Sequence, residues 1–389
     1  MKDMYVEMLR ELVLGFAKCE IDYKIDFSDN VKRLMLFDKF EDHYIINEDM
    51  MVAFHKLDIS VSGLSFKNVD VAGMSLGYLN GVKINPQEVY NKDLSDTSLN
   101  GVFIEGSFDN VFIKGVSFIG ALGNININPE TIVDKNLSYA ILDNVNFIGS
   151  FDDAMIFGAD FEGSKNAIID PQTIFQGDLS SCNFRNVYFD GTFEDCNIEL
   201  SEFAGSENAV IVPQLLDNAS IKYCVLEDAT IEGDFDNVEI SGANFMGCSG
   251  YIEINPQTIA NKDLTNCMCD GVTFIGEFDD VSIEGCSFKG SIGALINPQT
   301  IKNNNFYCTN LCDVEFTREF SKANVMNASF EGSKNAIMFA DKIEYNEYTS
   351  FVDAIMVGKI KKKWAFHFFS LYVLTYLFIS DILLTFVET

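Results

Sequence analysis

Large apolar residues recur along most of this chain in steps of five. From Ile132 onward they fall at Leu137, Leu142, Phe147, Phe151, Ile156, Phe161 and Ile169, giving steps of 5, 5, 5, 4, 5, 5 and 8. An amphipathic helix needs a period near 3.6 and a half-buried strand a period of 2, so neither explains the pattern and the chain must turn every few residues. A small or β-branched residue stands two places before many of the large ones: Ala140 before Leu142, Val145 before Phe147, Ala154 before Ile156, Ala159 before Phe161. Both members of each pair are expected to point inward.

A longer period contains the short one. All six prolines, Pro86, Pro129, Pro171, Pro213, Pro256 and Pro298, are separated by 43, 42, 42, 43 and 42 residues. Two phenylalanine columns keep the same register: Phe108, Phe151, Phe193, Phe235, Phe278 and Phe320, then Phe118, Phe161, Phe203, Phe245, Phe288 and Phe330. A fixed long period predicts a repeat protein in which each unit buries its apolar face against its neighbours.

The stretches AILDN, VNFIG, AMIFG and ADFEG between Ala140 and Gly163 resemble the A(D/N)LXX units of the pentapeptide-repeat family. The resemblance runs from about Leu57 to about Phe351, and the repeat domain is placed at residues 57–357. It implies an all-β solenoid, a right-handed quadrilateral β-helix with four pentapeptides to a coil, and therefore two coils per 42–43-residue repeat. The eight- or nine-residue step through the segment before each proline departs from the family pattern and is read as a protruding turn. A proline there has no N–H to give a ladder, which suits a corner. Asn85, Asn128, Asn255 and Asn297 recur at equivalent places and are expected to stack as an amide ladder.

Both ends lie outside the repeat. Residues 1–56 read as an α-helical N-terminal cap, with Tyr5, Met8, Leu9, Leu12 and Phe16 as one apolar stripe and NEDMMVAFHKL as a second helix. Such a cap would cover the open ladder edge of the first coil. Residues 358–363 form a basic linker, and 364–387 are apolar on every side of a helix, including Trp364, Phe368, Leu371, Leu374, Leu377 and Phe378. At 1.5 Å per residue this stretch spans about 36 Å, enough for a hydrocarbon core of about 30 Å. It predicts a transmembrane helix, with Asp381 near its far end. Lys359, Lys361, Lys362 and Lys363 would then stay inside, placing the repeat on the cytoplasmic face of the cell membrane, single-pass with the N-terminus inside. The alternative is a cytoplasmic protein whose tail joins two copies as a homodimer.

Charge narrows the partner. With 58 acidic and 27 basic residues the formal charge is −31, which excludes direct nucleic-acid binding through phosphate contacts and favours a basic protein partner. Asp109, Asp152, Glu194, Asp236 and Asp279 each follow the first Phe column and form a candidate acidic interaction column. A catalytic site breaks a repeat, whereas these carboxylates obey it. His43, His55 and His367 lie outside the repeat, so no catalytic, cofactor or metal residues are assigned. Among the ten cysteines, Cys182, Cys224 and Cys267 share a column with Thr97, Ala140 and Thr309, and Cys196 and Cys286 alternate with other small residues. They are read as packed thiols, suited to a reducing cytoplasm; the charged opening Met1 to Glu20 does not resemble a secretory signal.

Two non-enzymatic readings follow. One is a membrane-tethered scaffold presenting acidic coils to a protein partner. The other comes from the resemblance: pentapeptide proteins that mimic DNA bind gyrase or related topoisomerases as dimers. Equivalent carboxylates two coils apart are separated by about 9.6 Å, so mimicry requires acids from the intervening coils too.

Overall fold

The computed structural model describes residues 2–19 and 27–358. The chain divides into two compact units, Met1–Ser220 with Cys224–Thr230 and Ile221–Tyr223 with Ile231–Thr389. Each is a β-solenoid of short parallel ladders. In the first, one ladder runs from Ser75 through Ser98, Ser117, Ile141, Asp160 and Asn183 to Glu202, at intervals of 23, 19, 24, 19, 23 and 19 residues. In the second, Asn244, Met268, Ser287, Asn310 and Ser329 are 24, 19, 23 and 19 residues apart. A long coil and a short coil together make one repeat.

The short coil contains the four-residue step at the first Phe column, and the long coil contains the step of eight or nine residues. That longer step does not protrude. Ser164 and Ala167 within it are 5% and 1% exposed, and Ala167–Ile169 pairs in parallel with Val187–Phe189. The surplus is absorbed in line because one residue adopts the left-handed conformation, as in a β-bulge. That position is Gly123, Asn166, Asn208, Gly250, Gly293 and Asn335, with φ of 107, 56, 62, 104, 74 and 59°. Only glycine and asparagine occupy it, the residue types that tolerate this backbone best. The prolines open single 3₁₀ turns at a corner, as in Pro171–Thr173 and Pro213–Leu215, where a missing N–H costs no ladder bond.

The two Phe columns meet inside. All twelve rings are 2% exposed or less. They pair across their own coil: Phe151 with Phe161 at 5.9 Å and Phe193 with Phe203 at 5.7 Å in the first unit, Phe235 with Phe245 and Phe278 with Phe288 at 5.8 Å in the second. These tilted and edge-on arrangements match the electrostatic preference of aromatic pairs.

The N-terminal segment holds helices α1 (Lys2–Lys18), α2 (Asp29–Leu36) and α3 (Glu48–Lys56), and also a hairpin of β1 (Phe37–Phe40) and β2 (His43–Ile46). The hairpin departs from the helical cap expected of 1–56, and its role requires a strand. β2 pairs in parallel with β3 (Val69–Asp70), adding a rung that a helix cannot supply. Helix α1 also turns differently from its apolar stripe. Tyr5, Met8 and Leu12 are 62, 65 and 50% exposed, while Val13 and Ala17 are buried. Arg10 sets that rotation: its guanidinium reaches the Met35 and Leu34 carbonyls at 3.0 and 3.1 Å and Asp38 at 2.7 Å.

Among the described residues no helix is long and apolar enough to cross a membrane. The stretch 364–387, with Trp364, Phe368, Leu371, Leu374, Leu377 and Phe378, lies outside them.

Candidate interaction surface

Each acid of the column sits one residue outside the core. Asp109, Asp152 and Glu194 in the first unit and Asp236 and Asp279 in the second are exposed, although the Phe before each is buried. The residue after each acid is left-handed: Asn110, Asp153, Asp195, Asn237 and Asp280, with φ between 57 and 60°. This conformation turns the chain at the corner and holds the carboxylate outward.

The preceding coil contributes through its glutamine. Gln87 Nε2 donates to the Ser107 and Asp109 carbonyls at 3.0 and 2.7 Å, and Gln257 Nε2 to those of Glu277 and Asp279 at 3.0 and 2.8 Å. Lys135 Nζ donates to the Asp152 carbonyl at 2.9 Å. These side chains tie the acidic corner to the adjacent coil through its backbone and leave the acids facing solvent. In this glutamine column, Gln87, Glu130, Gln172, Gln214, Gln257 and Gln299, only Glu130 is acidic.

The Asp152 carboxyl is held below the usual carboxylate range by hydrogen bonds from Ser150 and Thr173, with a smaller contribution from Lys135. A depressed value means that proton uptake is resisted until the pH falls through it, so any stabilisation by these bonds is present at neutral pH and lost at acid pH. We expect Ser150→Ala to move the Asp152 titration upward in a carboxyl-resolved NMR experiment.

The asparagines do not form the amide ladder expected of them. The Oδ1 atoms of Asn85, Asn128 and Asn255 each accept from the backbone N–H two residues on, at 3.0 Å, and Asn297 does so at 3.1 Å. A short amide satisfies its own turn before it can reach a neighbouring coil. The amide ladder lies elsewhere: Asn146 Nδ2 donates to Asn126 at 2.7 Å and Asn166 Nδ2 to Asn146 at 2.6 Å.

The cysteine column is more than a packing position. Cys182, Cys224 and Cys267 donate Sγ–H to the carbonyls of Ile156, Ile198 and Ile240 at 3.0, 2.9 and 3.0 Å. Thr97 and Thr309 make the same bond to Val71 and Ile283 at 2.9 and 3.1 Å. Alternation of Thr with Cys was the available signal, because the two share size and a donor. Burial pushes the Cys182 and Cys224 thiols up to about 12, so they stay protonated donors at neutral pH. Cys224→Ala should therefore cost about 1 kcal/mol in urea unfolding, and Cys224→Thr less.

His43, 8% exposed, stacks on Tyr90 at 3.8 Å beside Asp42, and His55 meets Tyr78 edge-on at 5.4 Å; His367 lies outside the described residues. Among the described residues no group of three or more His, Cys, Asp or Glu is placed to hold a metal ion.

No family model and no curated protein matches the sequence. Among solved structures the chain is similar to HetL, a pentapeptide repeat protein involved in heterocyst differentiation regulation in the cyanobacterium Nostoc sp. Identity is 12% over 76% of this chain and 93% of HetL, with a TM-score of 0.12. It is also similar to QnrB1, a plasmid-mediated fluoroquinolone resistance protein, at 11% identity over 78% of this chain and 90% of QnrB1, with a TM-score of 0.09. Overlaps this weak transfer no residue's role.

Proposed function

We propose that this chain is a pentapeptide-repeat protein acting as a non-enzymatic interaction scaffold, tethered to the membrane by 364–387 and presenting acidic coils to a basic protein partner. Its solenoid is right-handed and four-sided, and it lies on the cytoplasmic face. The observation that carries the reading is the acidic column: it follows the repeat from unit to unit and stays exposed. The asparagines, glutamines and core thiols meet backbone groups of their own or adjacent coils.

The DNA-mimic reading, a dimer of this chain bound to a topoisomerase, gains little here. Phosphates along one DNA strand rise about 3.4 Å each, so acids on alternate coils about 9.6 Å apart need carboxylates between them. In the first unit the intervening coils offer Glu130 between Asp109 and Asp152 but Gln172 between Asp152 and Glu194, and in the second unit Gln257 stands between Asp236 and Asp279.

Fractionation of the full chain beside a version stopped after Gly358 tests the tether. Retention of the full chain alone in carbonate-washed membranes is the expected result. Two soluble proteins, with dimers formed only by the full chain, would overturn it.

A further inference from the structure

The second unit gathers its exposed apolar residues on one wall. Seven of the twelve large apolar residues exposed among its described residues are Tyr251, Ile275, Ile292, Leu295, Ile337 and the Ile355/Val357 pair. They lie on or beside one continuous set of ladders: Glu253 with Thr273, Thr273 with Ile292, Leu295 with Glu315, Glu315 with Lys334, Ile337 with Ile355. Alternation along each strand turns Ile254, Phe274, Ile296 and Met338 inward and leaves their neighbours outside. Ile292 is 63% exposed and Ile355 58%, which is unusual for isoleucines on a water-facing wall.

From this wall we infer a membrane-contact surface: the strand wall of the second unit lies against the lipid surface. The inference rests on the tether proposed above and adds an orientation to it. The last described ladder, Ile355–Val357, belongs to this wall, and Gly358 follows directly. Five residues separate Gly358 from Trp364, six Cα steps with a reach of at most about 21 Å, so an inserted tail holds this end of the wall near the headgroups. From the coil of Tyr251 to that of Ile355 the wall extends five coil spacings, about 24 Å.

Charge fits the same face. The wall carries Glu253, Glu315 and Lys334, and Lys359 and Lys361–Lys363 follow its last strand in sequence. The acidic column belongs to another ladder, where the Asp280 N–H donates to the Thr300 carbonyl. Contact through the wall therefore leaves Asp236 and Asp279 open to a partner. With −31 on each chain, a second copy is a poorer occupant than uncharged lipid.

Trp364 is the only tryptophan, which makes the test direct. The native full chain is reconstituted into phosphatidylcholine vesicles with and without brominated acyl chains. Single reporters are then compared in a Trp364→Phe background: Ile292→Trp, Ile337→Trp and, on the acidic corner, Asp279→Trp. In brominated vesicles the reporters at 292 and 337 should lose most of their emission and shift to the blue, while the one at 279 should stay open to aqueous acrylamide. Quenching of native Trp364 with acrylamide access at 292 and 337 equal to that at 279 overturns the contact and leaves the tether standing. Failure of lipid to quench Trp364 removes both. Shielding at 292 and 337 without vesicles, accompanied by dimers in sedimentation, assigns the wall to a second copy and also overturns the inference.

Discussion

Phe235→Ala should destabilise the second unit by about 3–5 kcal/mol, and Asp236→Ala beside it by less than about 1 kcal/mol. Phe235 is 2% exposed and its ring packs against Phe245 at 5.8 Å, so truncation removes both transfer energy and ring contacts and leaves a void between coils. In a solenoid the neighbouring coils can close such a void only by breaking ladder bonds, because each coil is held in register by the next. Asp236 is exposed on the corner, and the backbone geometry that places it is held by the Asn237 N–H bonded to Thr258 O at 2.8 Å, which survives the substitution. Urea unfolding of the two variants checks the pair. Equal losses would contradict the inward and outward assignment of adjacent residues.

Five-residue steps with Phe in register, a pattern set by burial, carried the family resemblance, and the resemblance implied a β-solenoid with two coils per repeat. What the sequence did not reveal depends on which backbone group each polar side chain meets. Asn85 looks like a stacking residue until its own turn offers the Gln87 N–H, and the true amide ladder, Asn126 to Asn166, falls in positions that vary between repeats. The Cys/Thr column was legible as small and buried. Its bond to a carbonyl 26 residues earlier needs the coil geometry. Helix α1 was legible as a helix, yet the face it turns inward is decided by Arg10 and its carbonyl partners, which a stripe of apolar letters does not show. The acidic column could be read in full as a pattern. Its separation by glutamines that bond the backbone appears only when adjacent coils are aligned.

The bulge position gives the second large effect. Gly250→Ala should cost at least about 2 kcal/mol, and Gly250→Asn should cost less. Gly250 has φ of 104°, where a side chain is strained whatever the space, and a Cβ there would stand 2.2 Å from the Ile231 carbonyl oxygen. That oxygen belongs to the backbone of the preceding coil, so relief requires the ladder itself to shift. Asparagine already fills the equivalent place at 166, 208 and 335 with φ of 56, 62 and 59°, and Asn208 Nδ2 donates to the Phe189 carbonyl at 2.8 Å. An asparagine at 250 can thus move the bulge toward the conformation of its neighbours and recover a bond to the coil below. Alanine has no such bond to gain. Urea midpoints in the order wild type, Asn, Ala are expected; Ala equal to wild type would mean that the nine-residue step from Phe245 to Ile254 is not held in line by a left-handed residue.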